Sequence, residues 1–111
     1  MATRIINAAV ALSGTSLTTV YTCPSSHRAI VKELWLTNVD GSSAVDATIK
    51  WTDTSASATF AIISTKSVAA DSYLRIEGAN IVLEATDILK AQAGAADDLT
   101  VSAFIEEIYT P

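Results

Sequence analysis

Cysteine and histidine are almost missing from this chain of 111 residues, which has one of each, Cys23 and His27. A single thiol forms no disulfide within the chain, so we expect a hydrophobic core to hold the fold. A structural zinc site needs more soft ligands than these two residues supply. Any Ser-His-Asp or Cys-His arrangement would have to be built around His27, and contact with Cys23 is possible across a turn that contains proline. We favour the alternative, a packed turn cysteine and a solvated loop histidine.

Positive charge is also scarce. The chain has 7 Lys and Arg against 12 Asp and Glu, for a net charge of −5, and its basic residues occur singly along the sequence. Nucleic-acid binding relies on clustered cations that neutralise phosphates, so we expect no nucleic-acid partner. Residues 12–26 carry no charge but are rich in Ser and Thr, which argues against a membrane span. Residues 8–12 are too short an apolar run for a secretory signal. We therefore expect no membrane association.

Glycine is sparse as well, and the four glycines are too scattered to form a phosphate loop or a dinucleotide-binding fingerprint. Aspartates lie mostly in or beside predicted loops, which leaves calcium as an open alternative. However, they lack the Asp-x-Asp-x-Asp-Gly order, and isolated loop aspartates usually bond to their own backbone. The sequence thus predicts no catalytic residue, no metal site and no cofactor.

The sequence does contain a strong alternation of apolar and polar residues. In residues 45–51 and 99–105 apolar side chains occupy every second position, as in half-buried strands. Turn signals recur at regular intervals, and no window shows a helical stripe. These features predict an all-β protein with a single antiparallel β-sandwich, Greek-key or jelly-roll-like, of about eight strands.

Individual strands and turns support more detailed predictions. Residues 29–38 are apolar on both faces, which indicates a central strand with a covered outer face or with a bulge that shifts its register. The Asp40-Gly41 turn predicts that residues 29–51 form a hairpin, and residues 88–109 are expected to form the final one. Glu106 and Glu107 are most simply a solvated strand end, although two adjacent carboxylates could help set a charged contact in an assembly.

The sequence leaves the role of the N-terminal segment open. Residues 1–13 could be a first strand of the sandwich, which we favour, or an assembly arm that adds a strand to a neighbouring subunit. Residues 14–111 would then form the β-sandwich domain.

The two tryptophans also allow two interpretations. Trp35 and Trp51 could be exposed together as a stacking platform for a sugar. We favour the more common case, in which tryptophans at inward strand positions belong to the core.

Three stretches of the chain, residues 17–24, 29–38 and 83–90, resemble small β-sandwich virion proteins of tailed bacteriophages. The recurring phrases are a Leu-Tyr-Thr-x-Pro strand end, an Ile-Val-Lys strand that closes on Asn, and a Leu-x-x-x-Asp-x-Leu-Lys corner. The sequence departs from this pattern at residues 23–27, where a small turn with glycine is common, and at Thr86, where glycine often precedes the aspartate. The family has no active residue that could be transferred.

The resemblance implies a non-enzymatic structural protein of a bacteriophage virion, made in the host cytoplasm. It would be a capsid decoration or cement protein, or a neck or tail accessory, and it would bind major capsid or neck and tail proteins. It would also self-associate as a homo-oligomer, with a trimer favoured. The alternative is a carbohydrate- or receptor-binding module at a phage tail tip. Under the structural reading we expect the contacts to involve the N-terminal segment and the last strand, at Arg4, Ile5, Ile6, Val10, Leu12, Phe104, Ile108 and Tyr109.

Overall fold

The computed structural model describes residues 2–111, which form eight β-strands and no helix. The strands are β1 (Thr3–Leu12), β2 (Thr18–Thr22), β3 (His27–Asn38), β4 (Val45–Asp53), β5 (Ala58–Val68), β6 (Tyr73–Leu83), β7 (Ile88–Ala93) and β8 (Leu99–Tyr109). Within residues 2–111 we find no helical segment with the length and apolar character needed to cross a membrane.

The strands form two four-stranded antiparallel sheets. Sheet A has the order β1-β8-β3-β6 and sheet B the order β2-β7-β4-β5. β1 pairs with β8, β2 with β7, β3 with β6 and β4 with β5, so the chain resembles one long hairpin that has been rolled up. The β3–β8 and β4–β7 pairs then complete the two sheets. This is a jelly-roll arrangement, and it confirms the predicted all-β sandwich.

Two predicted hairpins are wrong. β3 and β4 lie in different sheets, as do β7 and β8, and β4–β5 is the only pair formed by strands consecutive in the described chain. The Asp40-Gly41 turn therefore carries the chain from one sheet to the other. Buried Asn38 supports this crossing because its Nδ2 donates to the carbonyl oxygens of Ser43 and Val68, at 2.9 and 3.0 Å.

The core lies between the sheets and follows the predicted alternation. Its members are mainly aliphatic side chains at alternate strand positions, among them Leu34, Leu36, Ile49, Leu89, Leu99, Val101 and Ile105. In β3 the register shifts between Val31 and Glu33 against both neighbouring strands. Against β8, Lys32 is the extra residue, whereas against β6 the extra residues lie in β6, between Glu77 and Ile81. Of the two predicted explanations, the structure shows the bulge, which lets Val31 and Leu34 both face the core.

The corner between β6 and β7 is fixed by a buried carboxylate. Asp87 Oδ1 accepts a hydrogen bond from the Thr54 amide at 3.1 Å, and Oδ2 accepts one from the Glu84 amide at 3.0 Å. Asp87 therefore ties this corner to the β4–β5 turn. Thr86 before it has a φ of 70°, in the left-handed region that glycine adopts most easily.

The N-terminal segment forms a strand of this same chain. β1 pairs with β8 over ten consecutive residues, from Thr3 with Ile108 to Leu12 with Leu99. Met1 lies outside the described residues. An additional role of this segment in assembly stays a prediction.

Candidate functional site

The outward side of sheet A carries a group of apolar side chains that spans all four strands. Ile5, Ile30 and Val82 lie in one row toward the end of the sheet that holds Thr3, with Glu106 between Ile5 and Ile30. In the central row, Phe104 lies between Asn7 and Glu33. Ile5 is 76% exposed, Tyr73 57%, Val82 53% and Phe104 40%. We call this surface the outer apolar face, and its members are Ile5, Ile30, Trp35, Tyr73, Val82, Phe104 and Ile108.

The outward side of sheet B has a different composition. It is rich in hydroxyl side chains, which pair across strands as Thr52 with Thr59, 2.8 Å apart, and Thr48 with Thr65, 3.5 Å apart. None of the large hydrophobic residues that are exposed in residues 2–111 lies in the middle of this surface. Because both surfaces belong to one small domain, the apolar one is the better candidate for contact with a partner.

Trp35 lies on the outer apolar face, so its predicted place in the core is wrong. Its ring packs against Tyr73, with 5.0 Å between ring centroids, and the Arg75 guanidinium lies 5.0 Å from the ring centroid. Arg75 Nη2 also contacts Glu33 Oε1 at 2.6 Å. Tyr73 and Arg75 thus leave Trp35 half-buried.

Trp51 lies on the other sheet and packs against the core from its edge. Its ring neighbours Phe60, with 5.4 Å between the ring centroids. Because Trp35 and Trp51 belong to different sheets, they do not form a common stacking platform.

At one end of the sandwich, Glu107 is buried rather than solvated, which corrects the prediction for this strand end. Its side chain is only 2% exposed. Arg4 Nε donates a hydrogen bond to Oε1 at 2.8 Å, and the Tyr21 hydroxyl donates one to Oε2 at 2.5 Å. The carboxylate therefore connects β8 to β1 in its own sheet and to β2 in the other.

These contacts shift two pKa values in opposite directions. Burial alone would raise the pKa of Glu107, but the hydrogen bonds from Tyr21 and Arg4 outweigh it and hold the pKa below its usual range. Burial, together with the Glu107 carboxylate, raises the pKa of Tyr21 strongly. At neutral pH the pair is thus an ionised carboxylate and a neutral phenol, as its geometry requires.

A pocket of about 90 Å³ adjoins this pair and is lined by Ala2, Thr3, Arg4, His27, Glu107 and Tyr109. The rings of His27 and Tyr109 lie 5.2 Å apart between centroids. Both oxygens of Glu107 already accept hydrogen bonds from the protein, so the arrangement fixes strands in place rather than presenting a free base.

Cys23 and His27 do not form a nucleophile and base pair. Cys23 is fully buried, and its Sγ lies 3.5 Å from the backbone oxygen of His27. The His27 ring uses Nδ1 to contact the Ser25 carbonyl oxygen at 2.8 Å. Burial raises the pKa of the Cys23 thiol to about 11, so it is protonated at neutral pH and unsuited to nucleophilic attack.

The loop aspartates act in turns, as expected. Asp40 Oδ1 accepts a hydrogen bond from the Ser42 amide at 2.9 Å, and Asp53 Oδ1 accepts one from the Ala56 amide at 3.3 Å. In residues 2–111, no group of three or more His, Cys, Asp or Glu side chains is arranged to hold a metal ion.

No protein-family model matches the chain, and no curated protein matches it significantly. Solved structures do share its fold. A chain of the Bacillus endospore appendages, which form a family of disulfide-linked pili, is 13% identical with a TM-score of 0.58, over 99% of this chain and 88% of that chain. PirA is 11% identical with a TM-score of 0.51, over 95% of this chain and 92% of its own.

Virus capsid proteins are also among the structural neighbours. A chain of the acid-stable capsid of Helicobacter pylori bacteriophage KHP30 is 10% identical, over 97% of this chain and 88% of that chain. Its TM-score of 0.47 is too low to carry an argument. The TM-scores above 0.5 of the endospore-appendage chain and PirA show a common fold, while identities this low assign no function to this chain.

The expected contact residues fall into three groups. Ile5, Phe104 and Ile108 lie on the outer apolar face. Three others point inward from β1, half-buried or buried, and they are Ile6, Val10 and Leu12. The last two lie at the end of the sandwich, where Arg4 contacts Glu107 and Tyr109 neighbours His27.

Sequence reasoning did not assign Ile30, Trp35, Tyr73 and Val82 to a contact surface. Part of this surface could have been identified from the apolar residues that occupy the second face of residues 29–38. Once Val31 and Leu34 are taken as core, Ile30 and Trp35 must face outward.

Proposed function

We propose that this protein is a non-enzymatic structural subunit of a bacteriophage particle whose copies associate through the outer apolar face. The observation that carries this proposal is the contrast between the two outward surfaces. Sheet A exposes Ile5, Tyr73, Val82 and Phe104. The outward side of sheet B has hydroxyl groups that bond to one another, and the exposed Phe60 of this sheet lies on the edge strand beside Trp51. Exposed apolar patches of this kind mark sites of protein contact.

Fold and sequence support the same proposal. Eight-stranded jelly rolls recur in viral capsid proteins, and the three stretches at residues 17–24, 29–38 and 83–90 resemble phage virion proteins. The endospore-appendage chain, which shares the fold, belongs to a family of disulfide-linked pili. Self-association therefore suits both this surface and this fold.

Within the virion, the sequence resemblance favours a capsid decoration or cement protein, or a neck or tail accessory. Its partners would be other copies of itself, as a trimer, and the major capsid or neck and tail proteins. Such proteins gain affinity because many modest contacts form together on a symmetric particle.

Phe104→Lys tests the surface directly. Phe104 lies opposite Asn7 and Glu33, so the fold should accept a lysine there while the contact loses its apolar centre. Thr48→Lys is the matched control, since it adds the same charge on the outward side of sheet B. We expect light scattering across a dilution series to show an oligomer for the wild type and for Thr48→Lys, and dissociation for Phe104→Lys. Equal association of both variants would contradict the assignment of this surface.

The virion location needs a separate experiment. Particles purified by density gradient from a culture that carries the gene should contain the chain at a fixed molar ratio to the major shell protein, as measured by quantitative mass spectrometry. A ratio that varies between preparations, or absence from the particles, would contradict a structural role.

A second candidate function rests on Trp35. It lies outward beside Tyr73 and Arg75, and lectins also use jelly rolls, so a carbohydrate- or receptor-binding module at a tail tip is the alternative. With Trp51→Phe, tryptophan fluorescence reports on Trp35 alone. Quenching on glycan addition would support the alternative, and unchanged emission across a glycan panel would oppose it.

A further inference from the structure

The four edge strands of the sandwich are not equally protected against pairing with another chain. An edge strand exposes free N–H and C=O groups, and proteins guard such edges with short strands, charges or bulges. β2 has five residues and a register shift, and β5 has two register shifts. β6 has a register shift, with Gly78 and Asn80 at positive φ.

β1 has almost none of these protections. It runs for ten residues, contains no proline, and keeps an unbroken register with β8. None of its residues has a positive φ. Its single charged residue, Arg4, lies near the N-terminal end and is neutralised by Glu107 at 2.8 Å. β1 therefore presents a long and regular edge.

The hydrogen bonding identifies the backbone groups on that edge. The Tyr109 amide donates to the Ala2 carbonyl oxygen at 2.8 Å, so Ala2 faces β8. Residues of an antiparallel edge strand alternate between facing the neighbouring strand and facing outward. The even-numbered residues of β1 thus bond to β8, and the odd-numbered residues direct their N–H and C=O groups to the free edge, at Thr3, Ile5, Asn7, Ala9 and Ala11.

We propose that β1 pairs with β1 of a second copy, antiparallel about a two-fold axis, so that two copies of sheet A become one eight-stranded sheet. This inference rests on the proposed self-association and adds a second contact to the outer apolar face. The strand suits a second copy because antiparallel pairing places the two Arg4 side chains at opposite ends. Residues 5–12 between them are uncharged, and three of them are alanines.

The neighbouring surface fits the same pairing. Ile5 is the most exposed of the large hydrophobic residues of the outer apolar face, at 76%, and it lies on the edge strand where a second β1 would cover it. The pairing also joins the outer apolar faces of two copies into one surface. A two-fold contact closes on itself as a dimer, so a trimer would have to use the outer apolar face instead.

Ala9→Pro tests the pairing. Ala9 is exposed, and its N–H points to the free edge, so proline removes an edge donor without removing a hydrogen bond to β8. Ala9→Ser is the control, because it changes the side chain and keeps the N–H. By sedimentation equilibrium we expect Ala9→Pro to form an oligomer of lower mass than the wild type and Ala9→Ser form, because Ala9→Pro loses the β1 contact and keeps the outer apolar face. Circular dichroism checks that Ala9→Pro is folded.

Amide hydrogen exchange of the wild type gives a second test that needs no variant. The even-numbered amides of β1 should be protected at every concentration, because β8 pairs with them. The odd-numbered amides, such as those of Asn7 and Ala9, should be protected in concentrated samples and lose that protection on dilution. If Ala9→Pro fails to fold, this measurement alone tests whether β1 pairs with β1 of a second copy.

The outcomes separate this inference from the proposed function. If Ala9→Pro associates as the wild type does, or if the odd-numbered amides exchange rapidly in the oligomer, β1 pairing is wrong while self-association through the outer apolar face stands. If the wild type is a monomer at all concentrations, both proposals are overturned.

Discussion

Among single residues, Glu107 couples the fold to pH. Its pKa in the folded protein lies below the unfolded value, so folding favours the carboxylate. This contribution to the free energy of unfolding is complete above the unfolded pKa, about 4.3, and is lost as the pH falls through the folded pKa. Acid should therefore loosen the attachment of β1 and β2 to β8.

Glu107→Gln tests this coupling. We expect it to lower the free energy of unfolding by about 1–3 kcal/mol at pH 7, because it weakens a charged hydrogen bond with Tyr21. The exposed Arg4 contact adds little. The variant should also lose part of the acid dependence in urea unfolding measured from pH 3 to 7.

Glu106→Gln is the matched control, since the neighbouring residue undergoes the same change of charge on the outward side of the sheet. We expect an effect within about 0.5 kcal/mol. Equal losses for the two variants would show that net charge, rather than the buried contact, governs acid stability.

Cys23 should be unreactive toward thiol reagents in the folded protein. Its thiol is buried and its pKa is raised to about 11, so little thiolate forms at pH 8. We expect Ellman's reagent to label it only after unfolding, with a labelling rate that rises with denaturant. Rapid labelling of the native protein would contradict the packed position of this side chain.

The residue scale also shows what the sequence could not predict. From the sequence, Glu107 was predicted to lie at a solvated strand end, because its partners Arg4 and Tyr21 lie 103 and 86 positions away in the chain. No local pattern reports such distant contacts. The turn roles of Asp40 and Asp53 were predictable, because those side chains bond within three residues.

Among the elements, β3 contains one residue, Lys32, that has no partner in β8. Without Lys32 the sequence of this strand would alternate regularly, with Val31 and Leu34 inward and Glu33 outward. We therefore expect a Lys32 deletion to fold with only modest loss in the free energy of unfolding measured by urea denaturation, because the strand can pair with β8 in continuous register.

Deletion of Ser102 is the comparison for this prediction. Ser102 is also polar and outward in a central strand, but β8 keeps a regular register with β1 around it. Its removal turns one half of the strand inside out, so we expect no cooperative unfolding transition. A Ser102 deletion as stable as the Lys32 deletion would contradict this account of the register.

At this scale the strands were predictable and their partners were not. Alternation identified β4 and β8 because each has one face in the core. The predicted strand pairs were wrong because strands that are neighbours in sequence usually pair. In this fold β3 and β4 lie in opposite sheets, and so do β7 and β8. The outer apolar face was predicted only in part, at Ile5, Phe104 and Ile108, since it forms only when β1, β8, β3 and β6 come together.

At the scale of the whole molecule, most strand pairs join distant parts of the chain. Thr3 lies opposite Ile108, and such topologies fold in roughly milliseconds to seconds. A circular permutant that links the two ends with a short Gly-Ser linker and opens the chain at exposed Gly14 makes the β8–β1 pair local. We expect it to fold faster than the wild type in stopped-flow refolding.

A second permutant, with the same linker but opened at Ser55, provides the control. It gains the local β8–β1 pair but interrupts the β4–β5 turn, the one local hairpin of the described chain. We expect its refolding rate to exceed that of the wild type by less than the rate of the Gly14 permutant does. If neither permutant refolds faster than the wild type, the β8–β1 pair does not limit folding.

The β1–β8 ladder also determines how the subunit responds to mechanical load. Ala2 and Tyr109 lie at the same end of the ladder, so tension between them would peel β1 away one hydrogen bond at a time. Tension transmitted along β1 by a paired neighbour would instead shear all the bonds of the ladder together. The same strand would be weak when pulled from its own terminus and strong when pulled by a partner, which suits a subunit under stress only once it is assembled.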